Sequence, residues 1–249
     1  MIYQRAAAAF AGAAVLQILL RAFRIPEAFY ADVHGVAAYL GVIGGLYSIV
    51  VAFLIYVVWE QFNRVQVGMA TEASALEDLV RIAAFLSQRT NVLSVQSAVK
   101  QYMEATAGDE APRLATGNTS ELAEERFDSM CQAVRGIEIN DPKDQVIYGE
   151  LLRALTRVND ARDDRLSVST TRIPPTLWNL VVFASCVLFA GFLVLGIQSF
   201  VLSFGITACV AGTLAFLLSV IQDMDNPFDG VWNVSYAEMK IVAARIGQK

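Results

Sequence analysis

Apolar and polar positions are segregated along this chain rather than interleaved. Gly35 to Trp59 runs for 25 residues without a charge, and Thr176 to Ile197 and Phe200 to Ile221 run for 22 each. At about 1.5 Å of rise per residue, each run is long enough as a helix to cross a hydrocarbon core of about 30 Å. Ala6 to Leu20 is a shorter run of 15, rich in alanine and bounded by Arg5 and Arg21. No cleavage site followed by a soluble start accompanies it, so it reads as a first, short span whose arginines snorkel to the interfaces. The last two spans are joined by Gly196-Ile197-Gln198-Ser199. Gly196 suits a helix C-terminus and Ser199 an N-cap, which predicts a tight transmembrane hairpin.

Between these runs the period changes. Trp59-Glu60-Gln61-Phe62 continues the second span without Pro or Gly, and apolar residues recur at Leu76, Leu79, Val80, Ala83 and Leu86. That spacing predicts a long helix to about Gln88, with Gly68 its one weak point. A second helix is predicted over Val92 to Ala107, with Val92, Val95, Val99 and Met103 on one face, then a loop from Gly108 to Gly117. A third starts near Asn118 as cap, with Glu121 at the capping-box position. Asp141-Pro142 opens a fourth, with Ile147, Leu151, Leu155 and Val158 as its stripe. It extends towards Ser169 and is stopped by Ile173-Pro174-Pro175. The pattern contains no strand run and no repeat. The fold class is therefore an all-α integral membrane protein with about four transmembrane helices and a helical-bundle insert between the second and third. Its divisions are 1–59 (first pair of spans), 60–173 (insert), 174–222 (second hairpin) and 223–249 (exit turn and tail).

Charge sharpens this division. Only 17% of the 249 residues are charged, against about 25% in soluble domains. From Glu60 to Arg172 the chain holds 13 Lys/Arg and 18 Asp/Glu, and the remainder holds six of each. An acidic insert argues against a nucleic-acid partner, which requires a basic face. Four spans put the insert and both termini on one side, with Arg5, Arg64, Arg165, Arg172, Lys240 and Arg245. The first loop has Arg21 and Arg24, and the hairpin tip has no charge. The positive-inside rule then makes the insert and the termini cytoplasmic. Cys131, Cys186 and Cys209 form no close pair, which excludes a zinc-type C-x-x-C site.

Candidate chemistry is sparse. His34 is the single histidine. No His-x-x-x-His, Ser-His-Asp set or phosphate loop occurs, so the chain does not read as an enzyme. No span contains Asp, Glu, Lys or Arg, which disfavours an ion-coupled carrier. The second span is more informative. Ala38, Gly41, Gly45, Ser48 and Ala52 recur every three or four residues and form a helix-packing face, either within one subunit or against copies beside a symmetry axis. Tyr39, Ile43, Leu46, Val50, Phe53 and Val57, followed by Glu60, line an adjoining face. That face suits either a hydrophobic pore constriction or lipid.

The last span leaves the membrane through Asp223, Asp225, Pro227, Phe228, Asp229 and Gly230. Two readings stand. The aspartates supply calcium ligands, although their spacing departs from the EF-hand. Alternatively, Asp225-Asn226-Pro227 stops the helix, Phe228 and Trp232 return to the interface, and Gly230 permits the turn.

Trp59-Glu60-x-Phe62, Glu72-Ala73-x-x-Leu76-x-x-Leu79, Pro174-Pro175-x-Leu177-Trp178 and Asp223-x-Asp225-x-Pro227-Phe228-x-Gly230 occur in this order. With them the chain resembles the bestrophin-like membrane family of prokaryotes over about residues 35–240. The resemblance implies an oligomeric ion channel, pentameric in bestrophins. It would sit in the inner membrane, with the permeant ion and the lipid bilayer as partners and no cofactor, calcium being the open exception. The alternative is a membrane-anchored module whose insert binds a cytosolic partner.

Overall fold

The computed structural model describes residues 2–23, 33–195, 197 and 199–246. Among them every regular element is helical. In chain order these are α1 (Ile2–Ala22), α2 (Val33–Ala83), α3 (Arg89–Ala105), a π-helical turn (Thr106–Glu110), α4 (Ala111–Ala115), α5 (Glu121–Arg135), α6 (Pro142–Thr170), α7 (Pro175–Val194), α8 (Phe200–Met224) and α9 (Ala237–Ile246). Four helical segments are long and apolar enough to cross a membrane. They are Ile2–Leu20, Val33–Ala83, Phe200–Met224 and the apolar part of Pro142–Val194. The chain divides into two compact units, one of Met1–Trp59 with Arg172–Asp225, the other of Glu60–Thr171 with Asn226–Lys249.

The apolar unit packs α1 against α8 and the first half of α2 against α7 and α8. α1 runs antiparallel to α8: Tyr3 stacks near Phe216, Phe10 lies over Gly212, and the Gln17 amide donates to Ser203 Oγ at 2.7 Å. It is longer than the 15 residues expected, because Arg5 does not end it. The Arg5 guanidinium instead donates to the Gln222 side chain. At 21 residues α1 is about 31 Å long, enough to span. Tyr47, Val51, Leu54 and Val58 of α2 interlock with Val181 and Leu188 of α7 and Ile221 and Met224 of α8. Gly191 brings α7 close to α2: a Cβ there would sit 2.2 Å from Leu40 Cδ2. α7 stops at Val194, short of the Ile197 expected, and Ser199 caps α8 by accepting the Leu202 N–H at 3.4 Å. Gly196, Gln198 and Arg24, invoked for the hairpin and the first loop, lie outside the described residues.

The polar unit is a helical bundle around Val65, Met69, Leu76, Leu79, Val95, Val99, Met130, Leu151 and Val158. The tail set apart at 223–249 belongs here from Asn226 onward, because Val234, Met239, Val242 and Ile246 are buried in this core. α2 ends at Ala83 rather than near Gln88. Phe85 and Leu86 turn back on Ile82 and Ala83, and the Asp144 carboxylate accepts the Ser87 N–H at 3.0 Å. The segment 108–117 is not a loop but continues as the π turn and α4, drawn inward by the buried Thr106, Glu110 and Leu114. α4 closes in a Schellman turn: Gly117 adopts φ 79°, and the Asn118 N–H reaches Arg113 O at 3.0 Å. Asn118 therefore ends α4 instead of starting α5. The α5 cap is Ser120, which accepts the Ala123 N–H at 3.0 Å and donates to Asp109 at 2.5 Å. α6 begins as expected, with the Asp141 carboxylate accepting the Lys143 N–H at 3.0 Å and Pro142 in the first turn.

Candidate functional site

Within the apolar unit, α2 has four distinct sides. At 3.6 residues per turn, Tyr47, Val51, Leu54 and Val58 form one side, and all four are buried against α7 and α8. Directly opposite lie Val42, Ile49, Phe53 and Tyr56, which are 60–68% exposed. The stripe Ala38, Gly41, Gly45, Ser48 and Ala52 forms one flank. Every member is exposed, and a Cβ added at Gly41 or Gly45 meets nothing within 4 Å. Among the described residues the stripe is thus unused for packing inside the chain. The other flank carries Tyr39 and Leu46, both exposed, together with Ile43, Val50 and Val57, which are half-buried. Ile43 and Val50 rest on the apolar core. Of the residues singled out for a constriction, Phe53 is the one pointing squarely away from the chain's own core. In the polar unit, Glu60 is half-exposed and pairs with Arg64 one turn on, at 2.9 Å.

The exit of α8 is tied by backbone and side-chain hydrogen bonds. The Asp225 carboxylate accepts the Ile173 N–H at 2.8 Å, which positions the entry to α7. In the polar unit, Asn226 Oδ1 accepts the Phe228 N–H at 3.4 Å and its Nδ2 donates to Ala115 O at 2.9 Å. The buried Pro227 accepts the Val234 N–H at 2.8 Å, and Gly230 takes φ 97°, which only glycine adopts readily. Phe228 packs on Tyr236 and Trp232 sits edge-on to Phe62, so both rings meet protein. Asp229 accepts the neighbouring Gly230 N–H at 2.9 Å. Among the described residues no three His, Cys, Asp or Glu side chains gather as a metal site, so Asp223, Asp225 and Asp229 form no such cluster.

The polar unit also encloses an ionic core that the sequence reading missed. Glu72 of α2, Tyr102 of α3, Glu110 of the π turn and Arg165 of α6 are all buried. Arg165 Nε donates to Glu72 at 2.5 Å, its Nη1 lies 2.7 Å from Glu110, and the Tyr102 hydroxyl donates to Glu72. Gly68 makes room for this arginine: a Cβ there would come within 3.3 Å of Arg165 Cβ. Beside it, Arg162 stacks over Phe127, 4.6 Å from the ring centroid, and pairs with Glu124. Burial works against the Arg165 charge, yet Glu72 and Glu110 hold its pKa well above the usual arginine value. Burial and the Glu72 charge push the Tyr102 hydroxyl well up. One signal was available: Glu72 falls in helical phase with Met69, Leu76 and Leu79, where a core residue is expected.

The same arrangement of helices occurs in solved structures. A bacterial bestrophin homolog from Klebsiella pneumoniae matches with a TM-score of 0.74 at 12% identity, covering 100% of this chain and 98% of that one. A single-substitution variant of that homolog gives 0.73 at 11% identity, covering 99% and 98%. A further solved structure, of a membrane protein, gives 0.73 at 11%, covering 100% and 98%. At such identities the likeness is one of fold. A search of curated proteins finds no significant match. The Bestrophin-like domain matches residues 7–239, so it takes in most of α1 as well as the stretch carrying the sequence motifs, and the chain belongs to the Bestrophin-like family.

Proposed function

We propose that this chain assembles into a bestrophin-like ion channel of the prokaryotic inner membrane. It crosses the bilayer four times and keeps the insert and both termini in the cytoplasm. α2 lines the pore. The observation that carries this reading is the division of α2 into one side buried in its own subunit and about half a turn of exposed apolar and small residues. In a closed ring of identical subunits, a helix beside the axis has its own subunit behind it and a neighbour on each flank. Its fourth side faces the axis. The small stripe Ala38, Gly41, Gly45, Ser48 and Ala52 suits the close approach of a neighbouring helix. The flank with Tyr39, Leu46 and Val57 meets the other neighbour. Val42, Ile49, Phe53 and Tyr56 then form the hydrophobic constriction, with Phe53 shared between this set and the one read from sequence. The helical insert forms the cytosolic vestibule, with Glu60 and Arg64 at its mouth as a paired charge.

Mass measurement of the protein in lipid nanodiscs, together with ion flux from reconstituted liposomes, tests the proposal. A closed ring, the pentamer of bestrophins being the expected count, with flux supports it. A monomer in lipid without flux sinks it. Co-purification of a cytosolic protein with such a monomer would instead favour an anchored interaction module.

The exit turn acts in this scheme as a structural clasp, with Asp225 holding Ile173 and Asn226 holding Ala115. Added calcium is expected to leave both the melting temperature and the flux unchanged, and Asp223→Ala to behave as the parent. A calcium-dependent rise in melting temperature that Asp223→Ala abolishes would restore the aspartates as ligands.

A further inference from the structure

The ionic core of the polar unit holds two carboxylates against one guanidinium. Glu72 occupies the better place, with the Arg165 Nε–H at 2.5 Å and the Tyr102 hydroxyl as donors. Glu110 has Arg165 Nη1 at 2.7 Å, but the two are out of line for a hydrogen bond, and Glu110 Oε2 has no other hydrogen-bond partner. The groups that face Glu110 are Glu72 from α2, Tyr102 from α3, and Arg162 and Arg165 from α6. Tyr236, which follows the exit turn, completes the surroundings. On its own segment, Asp109 and Arg113 point outward and pair with each other at 2.8 Å. Arg162 pairs with Glu124, outside the core. With both inner carboxylates ionised, two buried negative charges share Arg165 as their one contacting cation, Arg162 being divided between them and the exposed Glu124, an unfavourable arrangement away from water. One proton on Glu110 removes it.

Glu110 also sits in a π-helical turn, a local distortion of the kind that recurs at functional sites. The turn leads directly into α4, whose last carbonyl, Ala115 O, is held by the Asn226 side chain at 2.9 Å. Asn226 follows the end of α8 by two residues. The segment 106–117 therefore links the buried carboxylate to the strap that follows the last apolar helix.

We propose that Glu110 is a proton-binding site, that its proton keeps the 106–117 segment closed on Arg165 and on the Asn226 strap, and that loss of the proton frees the segment. The sign follows from burial. Burial raises the Glu110 pKa above the usual carboxylate range, opposed by Arg165. A group whose pKa is raised in the closed form stabilises that form below its ordinary value and ceases to do so as pH rises through the raised one. Closure is thus favoured in acid and lost towards alkali.

Hydrogen exchange of the full chain in lipid nanodiscs tests this between about pH 5 and about pH 8, above the ordinary glutamate value. Rates are corrected for the intrinsic pH dependence of amide exchange. Protection of 106–117 and of the strap at 226–236 is expected to fall with rising pH. The fall should be about tenfold for each pH unit between the ordinary and raised values. Glu110→Gln, a neutral isostere of the protonated acid, is expected to stay protected throughout. Parallel profiles for the parent and Glu110→Gln, or flat protection in the parent, would overturn the proposal. Infrared difference spectra give a second readout on the unmodified protein. A protonated-carboxyl band that titrates in the parent and is missing from Glu110→Gln supports the site, and no such band refutes it. Neither measurement depends on conduction, so a failure of the channel reading leaves this one standing.

Discussion

Arg165→Ala is expected to be the most destabilising single change in the polar unit. The substitution strips the buried Glu72 and Glu110 of the one guanidinium that contacts both and opens a void beside Gly68. Removing one partner of a buried ion pair typically costs about 3–5 kcal/mol, because the remaining charge keeps its desolvation penalty. The measurement is a thermal melt of the purified protein in detergent, followed by helix content. Arg165→Lys is expected to recover only part of the loss. A lysine presents a single point charge where the guanidinium engages Glu72 through Nε and Glu110 through Nη1. Replacing Glu72, Glu110 and Arg165 together by Met or Leu is expected to restore most of the melting temperature, since well-packed apolar residues commonly match a buried ionic group. If the triple variant is as unstable as Arg165→Ala, the loss arises from the void rather than from stranded charge.

The second large effect is expected in conduction. In liposome flux, Phe53→Ala should raise the rate by about tenfold, corresponding to about 1.4 kcal/mol off the barrier. The physical basis is dewetting: a constriction of large apolar side chains opposes the entry of a hydrated ion, and shortening one of them admits water. Ile49→Ala acts in the same direction, because Ile49 lies on the same exposed side of α2. Ile43→Ala provides the contrast. Ile43 is half-buried against the apolar core, so its truncation should lower the melting temperature and leave flux nearly unchanged. Equal flux from the parent, Phe53→Ala and Ile49→Ala would place the constriction elsewhere.

The apolar runs and their helical state were legible because their length and lack of charge leave one solution in a bilayer. The Asp141-Pro142 start and the Ser199 cap were legible too, since a cap is a local interaction between residues two or three apart. Errors fell where a distant residue decided a local conformation. Gly108 to Gly117 looks like a loop by composition, but Arg165, about 55 positions along the chain, draws Glu110 inward and makes the segment helical. By charge Arg5 ends α1, whereas its guanidinium donates a hydrogen bond to the Gln222 side chain and the helix continues to Ile2.

For the site, the sequence by itself determined that α2 is apolar on every side and carries a stripe of small residues. It also marked the exit turn by its Asp, Pro and Gly. Periodicity alone assigns residues to faces but does not say which face a neighbour covers. That was decided by the tertiary structure. Tyr47, Val51, Leu54 and Val58 meet α7 and α8, which leaves the small stripe free and turns Phe53, Ile49, Val42 and Tyr56 away from the core. Likewise, Glu72 and Arg165 are 93 positions apart and each looks like an ordinary charge on a helix. Only the packing of α2, α3 and α6 removes them from water, and burial is what converts two surface-like charges and a second carboxylate into a core that binds a proton.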